Sequence, residues 1–316
     1  MLIEIRSPGC HVHVVNGILE VVPGRTGREA GQSPFRIPPA DVTGFVVEAP
    51  QTTLTSAALV ALAEEGVRVV LCDDRHRPAL EVQRADGAGS AQAAALLKAQ
   101  ILLRSDTRKR LWREVAKAKI RLQAETLDVL ACGNGTTRLR RLAEAIRPGD
   151  PDNREAAAAQ VYWTALMGRE FRRDAAECPT NARLNYGYAI LRSVMLRALH
   201  GAGLHPSFGL HHSNRDNPGS LADDLMEPYR PAVDRLVHFI GIENTDQELT
   251  PACKRHLAEL PGYPVLLNGQ WMRLANAVAE TCRSHVAVLR RETKVLALPH
   301  MLGRPEQCPT PGAPCG

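Results

Sequence analysis

No stretch of about eighteen uninterrupted apolar residues occurs in this sequence, so it offers no candidate membrane-crossing helix. Nor does a basic N-terminal region lead into an apolar run and a small-residue cleavage site, which sets the expectation of a cytoplasmic protein. Its eight cysteines (Cys10, Cys72, Cys132, Cys178, Cys253, Cys282, Cys308 and Cys315) are scattered without a CxxC pair, which excludes a zinc knuckle or a redox motif of that kind. They read as reduced, mostly structural thiols. A strong charge imbalance is also missing. The formal net charge of +5 tolerates a polyanionic partner without demanding one. No internal repeat is visible. What is present is an ordinary globular composition, 44% hydrophobic and 23% charged, able to bury a sizeable core. At 316 residues the chain exceeds one ordinary domain, and two are expected.

The first ninety or so residues favour strands. Leu2-Ile3-Glu4-Ile5, His11-Val12-His13-Val14 and Ile18-Leu19-Glu20-Val21-Val22 are short β-rich runs punctuated by Gly and Pro. Gly44-Phe45-Val46-Val47-Glu48 follows, then a helix over Thr55 to Glu65, then the buried-strand run Val67 to Cys72. This predicts a small β-rich domain with one helix. Residues 84–90 have linker composition, and beyond them the periodicity is helical almost to the end. The expected class is α+β: a small N-terminal β-rich domain over 1–90, a larger all-α-helical domain over 91–304, and a disordered Pro/Gly/Cys-rich tail over 305–316.

One or two long helices are expected from Ala91 to about Leu130, with a strongly basic polar face. Arg104, Arg108, Lys109, Arg110, Arg113, Lys117, Lys119 and Arg121 stand there against only Asp106 and Glu114. Such a run fits the solvated face of a surface helix. Charge alone favours that reading; the sharper one is a face that tracks a nucleic-acid backbone without reading its sequence, and all of these except Arg110 are candidate duplex contacts.

Three segments of the helical half carry the candidate chemistry. In Asp152 to Trp163, Asp152 or Asn153 is expected to cap a helix that holds Glu155 in its first turn, followed by four alanines that allow close approach to that face. A carboxylate at that place also satisfies the helix dipole alone. In Gly203 to Asn214, glycines and Pro206 fix an irregular loop on which His205, His211 and His212 can point into a cleft. No cysteine or carboxylate completes a compact zinc spacing with them. In Ser220 to Asp234, Asp224 and Glu227 stand at i and i+3 on one helical face, where like charges repel unless a cation or shared proton lies between them. Hard oxygens plus one imidazole suit Mg2+ or Mn2+ rather than a thiolate metal.

Taken together, these segments resemble the CRISPR-associated integrase and endonuclease family numbered first among the Cas proteins, and specifically its type II branch. The carriers are Asp152 to Trp163 with Met167 to Arg173, Asn181 to Arg192, Gly203 to His212 and Asp223 to Asp234, with Thr55 to Leu59 and Val70 to Asp73 as a weaker N-terminal match. The resemblance implies metal ligands at Glu155, His212 and Glu227, with Asp224 beside them as a supporting or alternative ligand and His211 as the competing histidine. It also implies a β-domain and a helical domain, homodimerisation, and a heterohexamer in which two such dimers are bridged by a dimer of the second-numbered Cas protein. Double-stranded DNA, both incoming fragment and repeat, is the implied substrate, and the type II RNA-guided effector nuclease an implied co-worker. Two other readings stay open: a catalytically idle DNA-binding scaffold of the same family, and a stand-alone transposon integrase on the same fold.

Overall fold

A computed structural model describes residues 2–304 apart from residues 30, 43, 68, 74–77, 83–89, 133, 174, 176–177, 213–215 and 244–248. The linker expected at 84–90 falls, but for Ser90, outside the described residues, as does the tail expected at 305–316 with Cys308 and Cys315. The chain divides into two compact units, Met1–Ala99 with Leu199–Leu204, and Gln100–Ala198 with His205–Gly316. Among the described residues, no helix is long and apolar enough to cross a membrane.

The first unit contains β1 (Leu2–Ile5), β2 (His11–Val15), β3 (Ile18–Val22), α1 (Arg25–Glu29), β4 (Phe35–Ile37), β5 (Gly44–Val47), β6 (Thr53–Leu54), α2 (Ser56–Glu64), β7 (Val69–Cys72) and β8 (Pro78–Val82). One four-stranded sheet has the order β1-β5-β7-β8, parallel except for the last strand. The other runs β4-β3-β2-β6. Asn16 and Gly17 form the β2–β3 hairpin loop with φ of 51° and 77°, the positive values that let a two-residue loop match the twist of its strands. Ile3, Val12, Leu19, Phe45, Leu62 and Val69 are buried together in the core. Thr55 caps α2, its hydroxyl accepting from the Ala58 amide at 3.2 Å. Besides the single helix expected here, the structure has α1, a five-residue turn too short for hydrophobic periodicity to register.

The second unit is helical. Into it runs the end of α3 (Ser90–Ile101), followed by α4 (Ser105–Val129), α5 (Thr136–Glu144), α6 (Arg154–Met167), α7 (Pro179–Gly201), α8 (Ser220–Met226), α9 (Arg230–Glu243), α10 (Pro251–Ala258) and α11 (Leu274–Leu289). The long α4 is its organising element, because Leu111, Trp112, Val115, Ala116 and Ile120 recur at helical spacing and are all buried. It packs on α5, α6, α9 and the 3-10 turn Glu227–Tyr229 that joins α8 to α9.

This unit is not wholly helical as expected. β9 (Pro264–Leu267), β10 (Gln270–Arg273) and β11 (Met301–Leu302) form a three-stranded antiparallel sheet in the order β10-β9-β11. Asn268 and Gly269 make its hairpin turn with φ of 51° and 78°. The fully buried Arg235 of α9 fixes β11: its Nη1 donates to the carbonyls of Leu302 and Gly303 at 2.9 and 3.0 Å, and its Nε to Thr126 of α4 at 2.9 Å.

Candidate functional site

Glu155 is set at the start of α6 by a cap other than the one expected. Asn153 occupies the N-cap position in a left-handed conformation and makes no side-chain cap. Asp152 instead binds the Arg147 guanidinium at 2.8 and 3.1 Å. Asp150 performs the capping, its two oxygens accepting the amides of Arg154 and Glu155, each at 2.9 Å. The turn Asp150–Asn153 carries positive φ at both ends, which brings Asp150 rather than its neighbours under the free amides.

Glu227 arises from a different break. Pro228 follows it, α8 ends, and the chain tightens into the turn Glu227–Tyr229 before α9 begins at Arg230. One oxygen of Glu227 is ion-paired with Arg230 Nε at 2.8 Å and the other with Lys119 Nζ at 2.6 Å. Asp224, expected beside the ligands as a supporting or alternative ligand, has different partners from Glu227. Asp224 is fully buried and spends its oxygens on the histidine loop, accepting the amides of Leu210 and His211 at 2.6 and 2.9 Å.

The loop gives the two adjacent histidines different surroundings. His212 places Nδ1 2.5 Å from Asp224 Oδ1, and its ring is half exposed. The hydrogen bond to Asp224 raises its pKa above the ordinary value, against a smaller opposing effect of burial. His211 stacks on Trp112 of α4, with ring centroids 4.3 Å apart and planes 4° from parallel, while the His212 ring meets the same indole edge-on at 5.8 Å. Gly209 is required here, because a Cβ would stand 2.4 Å from the His212 carbonyl oxygen and 2.9 Å from Asp224 Oδ2. The loop residues Ser213 and Asn214 lie outside the described residues.

Lys119 joins the two acids. Its ammonium pairs with Glu155 of α6 and with Glu227, while its side chain is only 12% exposed. Burial acts to lower its pKa, but the charges of Glu227 and Glu155 outweigh that and leave it above the ordinary 10.5. Burial likewise opposes ionisation of Glu227, and Lys119 and Arg230 together reverse the balance and hold it ionised. His212 is within electrostatic reach of Glu227. Thus Glu155, Glu227, His212 and Asp224 belong to one locality, although among the described residues no three His, Cys, Asp or Glu groups are spaced to hold a metal directly.

Beneath this locality, Asp234 of α9 accepts the hydroxyls of Tyr162 of α6 and Tyr188 of α7 at 2.9 and 2.5 Å. Burial pushes its carboxyl up to about 6. Arg230 lies over the Tyr188 ring, 4.6 Å from the centroid, so the residue that fixes Glu227 also covers this buried cluster.

The rest of the basic run has varied surroundings. Lys117 and Arg121 both bind Glu144 of α5 at 2.7 Å, and their hydrogen bonds hold its carboxyl down at about 2. Arg113 binds Glu114 at 2.6 Å. Arg104 and Lys109 are exposed, and Arg108 is partly buried with Nη2 3.5 Å from the Leu103 carbonyl. Lys119, grouped with these as a duplex contact, faces inward. A signal for this existed: Trp112, Ala116, Lys119 and Gln123 fall at helical spacing on one stripe, and the other three are buried. A lysine on a core stripe calls for an acidic partner.

Comparison with known proteins identifies the family. The family described as CRISPR associated protein Cas1 matches residues 3–241. The chain is 35% identical over 268 residues to the CRISPR-associated endonuclease Cas1 of Neisseria meningitidis serogroup C, covering 84% of this chain and 87% of the relative. In fold it is similar to a casposase bound to its integration product, with TM-score 0.73, 20% identity and coverage of 93% of this chain and 97% of the other. It is also similar to a chain of a partial Cas6-RT-Cas1–Cas2 complex, with TM-score 0.70, 16% identity and coverage of 93% and 96%. The length of the family match and the identity to the Neisseria relative place this chain in the Cas1 family of CRISPR-associated proteins.

Proposed function

We propose that this chain is a metal-dependent DNA integrase and endonuclease of CRISPR adaptation, which inserts short DNA fragments into a repeat array. The observation that carries the reading is the convergence of Glu155 and Glu227, from distant parts of the sequence, on the single ammonium of Lys119. His212 is held nearby by Asp224. Membership of the Cas1 family, and the endonuclease name of the Neisseria relative, support it. The fold is one that a casposase uses on an integration product.

The donor set suits a hard divalent cation, since the position between the two carboxylates already accommodates the positive charge of Lys119. Glu155, Glu227 and His212 carry the oxygen and imidazole donors that would hold Mg2+ or Mn2+ once drawn closer together than they stand here, with Asp224 supporting the imidazole. When bound, such an ion neutralises charge on a phosphate and polarises it. The protein's own groups supply orientation. Arg230 fixes one Glu227 oxygen and directs the other toward Lys119. Asp224 accepts the Nδ1 proton of His212, which leaves the Nε2 lone pair as the donor. In the reaction, the 3′-hydroxyl of the incoming fragment attacks a repeat phosphate in line. A new P–O bond forms, the bond to the displaced strand breaks, and that strand departs with a free 3′-hydroxyl. With water as nucleophile the same displacement is endonucleolytic. No covalent protein nucleophile is needed, so positioning and charge carry the catalysis.

Arg104, Arg108, Lys109, Arg113, Lys117 and Arg121 are the proposed duplex-backbone contacts, while Lys119 is assigned to the site itself. The working assembly is a homodimer joined to the second-numbered Cas protein in a heterohexamer, in the type II setting with its RNA-guided effector. The Cas1–Cas2 complex of similar fold supports the small-partner part of this assembly. The test is strand transfer by purified protein with its small Cas partner, Mn2+ and a labelled fragment. Glu155→Ala and Glu227→Gln should abolish product while circular dichroism stays that of the wild type. Full activity in either variant refutes the assignment. Efficient product without the partner would favour the stand-alone integrase instead.

A further inference from the structure

We infer that Lys119 is an internal stand-in for the divalent cation: its ammonium closes the acidic pair in the metal-free protein and must let go of that pair when the ion binds. This deepens the reading above and rests on it. Lys119 reaches the same two carboxylates that the metal would need, one from α6 and one from the turn after α8. The arrangement is built rather than incidental. The lysine stem lies on the buried stripe of α4 with Trp112, Ala116 and Gln123, so the side chain is guided inward rather than left to sample solvent.

Charge counting gives the consequence. Glu155, Glu227, Lys119 and Arg230 carry two negative and two positive charges, so these four side chains balance one another. Removing Lys119 alone would leave two carboxylates with one counter-charge, and like charges at that separation repel strongly in a poorly solvated place. Adding a dication with Lys119 still in position would create an excess positive charge in the same confined volume. Release of the ammonium relieves it, and Glu155, the more exposed of the two acids, marks the side on which a flexible lysine stem reaches solvent. Lys119 is therefore a positioning residue in the metal-free state and a competitor for its ligands.

The experiment is isothermal titration of Mn2+ into the full chain, with thermal unfolding measured with and without Mn2+, for the wild type, Lys119→Met, Lys119→Gln and Glu155→Ala. Lys119→Met should bind Mn2+ at least about tenfold more tightly than the wild type, the effect expected when a charged competitor is removed from a buried ligand pair. Its metal-free melting temperature should fall, and Mn2+ should raise it by more than it raises that of the wild type. Lys119→Gln can still donate one hydrogen bond without charge, and should show the same ordering of affinities if the methionine variant is too unstable to titrate. Equal or weaker Mn2+ binding by the lysine variants, with binding lost in Glu155→Ala, overturns the role of Lys119 and leaves the metal site standing. Absence of Mn2+ binding in the wild type and in both lysine variants overturns the metal reading itself.

Discussion

Asp224 and His212 are joined by a 2.5 Å contact between Oδ1 and Nδ1, and the other oxygen of the same carboxylate holds the backbone that carries the imidazole. One buried acid thereby fixes loop conformation, ring orientation and the identity of the ring nitrogen left for a ligand.

Asp224→Asn should therefore weaken Mn2+ affinity or strand transfer by roughly 10–100-fold, the usual cost of losing the partner of a ligating histidine. Calorimetric titration and the integration assay both report on it. Wild-type values in this variant would disconnect the Asp224–His212 pair from function.

Arg235 makes a stability prediction of a different kind. Its guanidinium is fully buried, binds Thr126, Leu302 and Gly303, and lies 3.3 Å from Glu125. Arg235→Met should cost about 3–5 kcal/mol, because it strands a carboxylate and two carbonyls together. Urea denaturation measures this, and a loss below about 1 kcal/mol would mean that β11 is held by other interactions.

His285 predicts the acid limb of the stability profile. Burial pushes its imidazole down to about 4, and its Nδ1 has no hydrogen-bond partner among the described residues. The unfolded chain takes up this proton near the ordinary 6.5, before the folded one does. The stabilising contribution is therefore complete above the ordinary value and is lost as pH falls toward about 4. His285→Leu should flatten the fall in unfolding free energy across that window. An unaltered slope would assign the acid sensitivity to another group.

The basic face predicts unequal salt effects. Replacing Arg104 or Lys109 by Gln should reduce the slope of log affinity against log salt by about one for each phosphate that the protein no longer neutralises. Lys117→Gln or Arg121→Gln should change it less, since both already share Glu144. Equal slopes for all four variants and the wild type would return the face to an ordinary solvated surface.

The candidate acids and histidine stand out in the sequence more clearly than their surroundings. Glu155 beside its alanine run, and Asp224 with Glu227 at helical spacing, were legible because each sits in a short local pattern. Asp150 was not, since capping from five residues back depends on left-handed conformations at Asp150 and Asn153 that composition alone does not announce. Lys119 was masked by the basic residues around it, although its helical spacing from Trp112 marked it as inward. The sheet in the second unit was readable in principle: Asn268-Gly269 between Pro264–Leu267 and Gln270–Arg273 is a strong hairpin signal, overshadowed by long helical periodicity on either side. The partner strand β11 comes from far along the chain and has only two residues, so no local pattern could reveal it.

Trp112 and Lys119 lie about two turns apart along α4, on nearly the same side of the helix. The first steadies the histidine loop and the second grips the carboxylates, so the helix acts as a ruler between the two halves of the site. A single residue inserted between them would swing one grip by about 100° relative to the other. Length and phase in this stretch are thus as much a part of the chemistry as the side chains themselves.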